Sequence, residues 1–181
     1  MRAKQYVATI SVLGVTGALT ALQFAFPELV SLLERTPIGI RQNQWWRLIT
    51  PLFVNPEGWR QIAFNFLSIL VLGALVERLF GSRRWLVLYF VSGFIGELAG
   101  YAWKPVGAGA SVAAAGLLGA LAVWLIREKR SVQAATGGVI IVVGGAILAA
   151  LRDIHGPPIL AGACMGWAML YGRSPKSSTS E

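Results

Sequence analysis

The sequence predicts an all-α polytopic membrane protein, a bundle of six transmembrane helices, and three observations carry that expectation. The chain has 181 residues, 55% of them hydrophobic and only 13% charged, about half the charged share of a soluble domain. The charges cluster between apolar runs that approach the roughly 20 residues needed to cross a bilayer core. Seven tryptophans suit anchoring at the membrane–water boundary. Residues 1–172 are expected to form one membrane domain. Residues 173–181 are expected to form a polar, Ser-rich cytoplasmic tail without fixed structure.

The elements follow in chain order. Met1 to Lys4 are a basic lead. Tyr6 to about Phe26 form a first spanning helix; no convincing small-residue cleavage site follows it, so it reads as an anchor. Pro27 to Trp59 make a long mixed loop, of a length that usually has structure or function of its own. Its short amphipathic pieces, Leu29 to Leu33 and Leu48 to Val54, are expected to lie in the membrane interface. A second helix spans about Arg60 to Phe80 and closes in the turn Gly81 to Arg84. Trp85 to about Tyr101 form a third, and Ala102 to Ala110 a glycine-rich loop. The fourth helix starts at Ser111, runs to about Ile126 and stops at the charged cluster Arg127 to Arg130. The fifth covers about Ala134 to Leu151, and after the link Arg152 to Pro158 the sixth reaches about Tyr171.

The net charge is +8, yet the basic residues sit at the ends of apolar segments and form no nucleic-acid-binding stripe, so no nucleic-acid partner is expected. With alternate loops assigned to opposite sides, Arg2, Lys4, Arg78, Arg83, Arg84, Arg127, Lys129, Arg130, Arg173 and Lys176 share one face. Arg35, Arg41, Arg47, Arg60, Lys104 and Arg152 share the other. The richer face is the cytoplasmic one, which puts both termini in the cytoplasm. Cys164 is the only cysteine, so no internal disulfide forms. No carboxylate pair or Cys/His cluster offers a metal site, no phosphate-cradling loop is present, and no metal or cofactor is expected.

That topology sends the second, fourth and sixth helices inward from the same face. Asn65, Ser111 and His155, the chain's only histidine, then fall near one depth in the outer leaflet, where polar groups tend to face one another or a water-filled cavity. Taken singly, each has a plain explanation. A serine among Gly and Ala lets helices approach closely, an amide bonds a neighbouring helix, and a histidine suits an interfacial loop. Together they are a nucleophile, a base and an oxyanion donor. Ser111 also opens a helix, where backbone N–H groups are free and oriented.

These residues resemble the rhomboid intramembrane serine proteases over about Trp45 to Gly166. Gly109-Ala110-Ser111 followed by Gly116-Leu117-Leu118-Gly119-Ala120 is similar to the family's catalytic-serine segment. His155 with Gly162 and Gly166 resembles its histidine and Gly-x-x-x-Gly helix. Trp46-Arg47 resembles its first-loop signature, and Asn65, Gly73, Glu77 and Gly81 its second helix. The resemblance implies a Ser111–His155 dyad without an aspartate, Asp153 having no assigned part. It implies oxyanion donation by Asn65 and the Ser111 N–H, and structural roles for Trp46, Arg47, Glu77, Gly109, Gly116, Gly162 and Gly166. The implied substrate is a transmembrane segment of another protein, cut near the surface of a bacterial plasma membrane.

The chain also departs from the pattern. Val112 stands where the family has glycine and adds bulk beside the hydroxyl. Ala115 replaces an aromatic that stacks on the histidine. Gln61 replaces a histidine four residues before the asparagine; its amide still supplies a donor. Pro157-Pro158 replaces a Gly-Gly and is expected to bear on the direction of the imidazole. The rival reading is a rhomboid-like protein that binds transmembrane segments without cutting them. A small transporter is disfavoured because no inverted repeat is evident.

Overall fold

Apolar runs bounded by glycine and charge become helices, and their order fixes where the polar groups meet. A computed structural model describes residues 6–128 and 131–171. The basic residues Arg2, Lys4, Lys129, Arg130, Arg173 and Lys176, and the tail 173–181, lie outside them. The elements are α1 (Val7–Ala25), α2 (Glu28–Leu33), α3 (Pro37–Arg41), two 3-10 turns (Trp45–Leu48 and Thr50–Phe53), α4 (Trp59–Phe80), α5 (Ser82–Trp103), α6 (Ser111–Glu128), α7 (Val132–Ala150) and α8 (Gly156–Tyr171). Helices α1 and α4 to α7 are each long and apolar enough to cross a membrane. The 16-residue α8 completes the six-helix bundle.

The boundaries differ from the sequence expectation at two turns, for local reasons. The expected four-residue turn after α4 is a single residue, Gly81, whose φ of 82° reverses the chain alone. Ser82, Arg83 and Arg84 therefore form the first turn of α5. Helix α5 also runs on to Trp103, which shortens the glycine-rich loop. At its other end α6 passes the expected stop, and the Arg127 guanidinium lies 4.7 Å from the ring centre of Trp167 on α8, a cation–π contact.

Helix α6 is the axis of the bundle, packed by α4, α5, α7 and α8, with Ala113, Leu117, Ala120 and Ala122 fully buried. Its small residues make this possible, since lipid provides no hydrophobic drive between helices and close packing takes its place. A Cβ at Gly162 would sit 1.9 Å from the Gly116 carbonyl oxygen, and one at Gly119 would sit 2.0 Å from that of Ile159. Helices α6 and α8 thus touch backbone to backbone, with Gly166 against Ala120 one turn further on. This contact delivers the start of α8 to the start of α6.

Helix α1 is tied on by a carboxylate. Glu77 of α4 accepts the backbone N–H of Ala8 and Thr9, each at 2.8 Å, and the Ser82 hydroxyl at 2.6 Å. The first N–H groups of a helix have no partner within it, and an anionic acceptor there is favourable. Gly73, one turn earlier on α4, leaves room for Thr9, which lies 2.9 Å from where its Cβ would be.

Two buried arginines organise the loop between α1 and α4. Arg47 donates from Nη1 to the carbonyls of Ser31 and Glu34 at 2.7 and 2.8 Å, and from Nε to Gln44 Oε1 at 2.6 Å. Trp46 remains half exposed, with Nε1 3.4 Å from the Leu32 carbonyl. Arg35 reaches across to α5. It pairs with Glu97, donates from Nη2 to the Lys104 carbonyl at 2.8 Å, and fills the space a Cβ at Gly100 would need. Its backbone exchanges hydrogen bonds with Gly107, at 3.0 and 3.2 Å. The loop is thereby joined to the glycine-rich segment that leads into Ser111.

Candidate active site

Ser111 is the first residue of α6, and its position follows from the glycine before it. Gly109 has a φ of 152°, a region L side chains rarely occupy, and its N–H donates to the Pro51 carbonyl at 2.9 Å. Helix bonding starts with Ala114 N–H to the Ala110 carbonyl at 3.0 Å. The N–H groups of Ser111, Val112 and Ala113 therefore precede the intrahelical ladder.

His155 immediately precedes α8. Its Nε2 lies 3.1 Å from Ser111 Oγ, across 44 residues of chain. Its Nδ1 lies 2.7 Å from Asp153 Oδ1, and its backbone N–H donates to the same oxygen at 2.9 Å. A carboxylate can only accept, so Nδ1 carries the proton. Nε2 is then a free acceptor for the serine hydroxyl. Burial pushes the Asp153 carboxyl up. The two hydrogen bonds from His155, together with the charge of Lys104, outweigh it and hold the carboxyl below its ordinary value.

Asn65 is fully buried and donates from Nδ2 to Asn55 Oδ1 at 2.6 Å. Asn55 is itself held by α1: its Nδ2 donates to Thr20 Oγ1 at 3.0 Å, and its backbone N–H and carbonyl pair with the Gln23 amide at 3.1 and 2.8 Å. Gln61, one turn before Asn65, donates from Nε2 to the Ala108 carbonyl at 2.8 Å and accepts the Glu57 N–H at 2.9 Å. The place a Cβ would take on Gly109 is 2.8 Å from Gln61 Nε2, 3.4 Å from Asn65 Nδ2 and 3.6 Å from Ser111 Oγ. Two amide nitrogens and the hydroxyl thus surround one small space that only glycine leaves open.

These groups line a cavity of about 590 Å³, whose rim carries Glu57, Arg60 and Lys104. A smaller apolar pocket, bounded by Phe64, Ser68, Leu72, Ala114 and Ala115, reaches Ser111 and His155 from the side. Chemically, the arrangement can deprotonate one alcohol and offer several N–H donors to a negative oxygen beside it.

A family model, the rhomboid domain, matches residues 42–176. The chain belongs to the rhomboid family. It is 38% identical over 105 residues to the rhomboid protease GluP of Bacillus subtilis, a match covering 58% of this chain and 20% of GluP. It is 32% identical over 140 residues to the rhomboid-family protein YdcA of the same species, covering 74% of this chain and 70% of YdcA. It is 30% identical over 152 residues to the RHOMBOID-like protein 6, mitochondrial, of Arabidopsis thaliana, covering 78% and 48% respectively. The chain thus spans a fifth of GluP and about half of the plant protein. With its rhomboid membership and five long apolar helices among the described residues, it is an integral, multi-pass membrane protein.

The departures from the rhomboid pattern find local compensation. Val112 is buried against α5. Its Cγ1 is 2.0 Å from where a Cβ would stand on Gly96 of α5, and Pro158 Cγ packs 3.1 Å from the same point. Two of the changes therefore meet at one glycine. The prolines occupy the first turn of α8, where their missing N–H groups have no helical partner, and the imidazole faces Ser111. Ala115 leaves space that contributes to the side pocket.

Three polar contributors to the site escape a reading of helix ends and motifs. Asn55 lies in a loop and carries no motif. Asp153 matters through its offset from His155, a turn geometry that helical periodicity does not describe. Glu97 had a usable signal: a carboxylate inside an apolar span is costly and calls for a partner.

Proposed function

We propose that this chain is an intramembrane serine endopeptidase that hydrolyses a peptide bond in a transmembrane segment of another membrane protein. The observation that carries the reading is the 3.1 Å approach of His155 Nε2 to Ser111 Oγ within a cavity lined by Asn65 and Gln61. The reaction runs in two balanced halves. Ser111 Oγ bonds to the scissile carbonyl carbon as its proton passes to Nε2 of His155. The resulting oxyanion accepts hydrogen bonds from the Asn65 and Gln61 amides and the Ser111 backbone N–H. Collapse breaks the C–N bond, and the proton on Nε2 goes to the departing amine. Water then adds to the acyl-enzyme, gives a proton to Nε2 and releases the acid, and the proton returns to Oγ.

The sidedness of the positive charge supports cytoplasmic termini and an outward-facing site. The relatives from Bacillus subtilis favour a bacterial plasma membrane. The rival is a non-catalytic rhomboid-like protein that binds transmembrane segments; Ala115, small beside the imidazole, favours it.

Reconstitution with a transmembrane peptide rich in small, helix-weakening residues separates the two. Wild type is expected to cleave and to label with a fluorophosphonate, while Ser111→Ala and His155→Ala lose turnover by several orders of magnitude, because paired residues act as a unit. Binding without product from all three proteins would assign the non-catalytic function instead.

A further inference from the structure

The geometry points to Asp153 as a positioning residue for His155, converting a two-residue site into a hydrogen-bonded Asp153–His155–Ser111 chain; this rests on the protease reading above. One carboxylate oxygen, Oδ1, accepts both the ring Nδ1–H at 2.7 Å and the backbone N–H at 2.9 Å of the same histidine. The first bond fixes the tautomer and the second fixes the backbone that carries the ring. With both made, Nε2 has its lone pair toward Ser111 Oγ at 3.1 Å. An imidazole tethered at one nitrogen acts as an acceptor only at the other.

The turn that holds the carboxylate is itself firmly built. Asp153 N–H donates to the Leu148 carbonyl at 2.8 Å and Arg152 N–H to that of Ala149 at 3.0 Å. This is the paired Schellman closure of a helix C-terminus. It places Arg152 at a φ of 58°, a left-handed conformation usually left to glycine. Gly156 N–H then donates to the Asp153 carbonyl at 3.1 Å. Asp153 is thus bonded through its N–H, its carbonyl and its side chain. On the cavity side Lys104 Nζ lies 3.9 Å from the other carboxylate oxygen, a partner that keeps it ionised. The side chain is 31% exposed, so the effect falls short of that of a fully buried carboxylate.

The alternative is that Asp153 only caps a turn. Asp153→Asn separates the two, since an asparagine oxygen still accepts the backbone N–H and keeps the turn. It lacks the charge, and when its amide NH2 faces the ring it holds the wrong tautomer. In the reconstituted assay, Asp153→Asn is expected to lower kcat by about 10- to 100-fold with KM changed less than about twofold, and Asp153→Ala by more. Thermal unfolding of Asp153→Asn should match wild type.

His155 is the only histidine, so 15N-histidine labelling reports one imidazole. Wild type should show a protonated Nδ1 and an unprotonated Nε2, and Asp153→Asn a tautomer mixture. Wild type in the Nε2–H tautomer, or kcat within twofold in both variants, would overturn the assignment. Absence of Ser111 labelling in wild type would instead remove the protease reading, and the tautomer measurement would still decide the role of Asp153.

Discussion

At the scale of single residues, the site depends as much on a missing side chain as on those present. Gly109 leaves a space within 2.8 Å of Gln61 Nε2 and 3.4 Å of Asn65 Nδ2, beside a hydroxyl whose attack would create an oxyanion. Under the protease reading, Gly109→Ala places a methyl where that oxygen must sit. It should cost roughly 100-fold in kcat, the scale of losing an oxyanion donor. Because the backbone there has a φ of 152°, some loss of stability is also expected. The informative comparison is with Gln61→Ala, which removes a donor without touching the glycine. If both variants turn over at the wild-type rate, the amides serve packing and not catalysis.

At the scale of elements, the departures from the rhomboid pattern become intelligible as pairs. Val112 adds an isopropyl group at the start of α6, and Gly96 on α5 lacks the side chain it would meet: a Cβ there would stand 2.0 Å from Val112 Cγ1. Gly96→Ala should therefore destabilise the protein by about 1–3 kcal/mol, the usual cost of overpacking. Adding Val112→Ala should recover most of that. Thermal unfolding in detergent of the two singles and the double closes the cycle; additive losses would show that the two residues do not interact.

The same scale shows what was legible in the sequence and why. The long helices, Ser111 at the head of α6 and the α6–α8 glycine contact could be read because apolar length and small-residue spacing encode them directly. The turn at Gly81 was read too long, and the left-handed Arg152 escaped, because neither the length of a reversal nor a non-glycine left-handed cap leaves a trace in composition. The bond from Arg35 to Glu97 escaped because it joins residues far apart in sequence, and the bond from Asn65 to Asn55 because Asn55 lies in a loop with no motif or periodicity. Only the cost of an unpaired polar group in lipid hints at them.

At the scale of the whole molecule, the protease reading raises the question of how a transmembrane segment would reach Ser111. Such a segment cannot leave the bilayer cheaply, because its backbone and apolar side chains are accommodated there, so it must enter from the side. The apolar pocket that reaches Ser111 and His155 is walled by Phe64, Ser68 and Leu72 of α4. Helix α7 is the least embedded of the long helices, burying only Gly138 and Gly145. Those glycines rest on Ala122 of α6 and Ile159 of α8, a seam with few side chains to unpack, and glycine also weakens helix interiors. Helix α7 is therefore the element proposed to move. Cysteine pairs tiled between the Phe64–Ser68 face of α4 and the outer turns of α7, in a Cys164→Ser background, should block cleavage of a transmembrane substrate when crosslinked and restore it on reduction. A small fluorophosphonate does not need the helices to part, so Ser111 labelling should persist in the crosslinked protein. Full turnover with α4 and α7 joined would place the entry elsewhere, and loss of labelling together with cleavage would mean that the crosslink had disturbed the site itself.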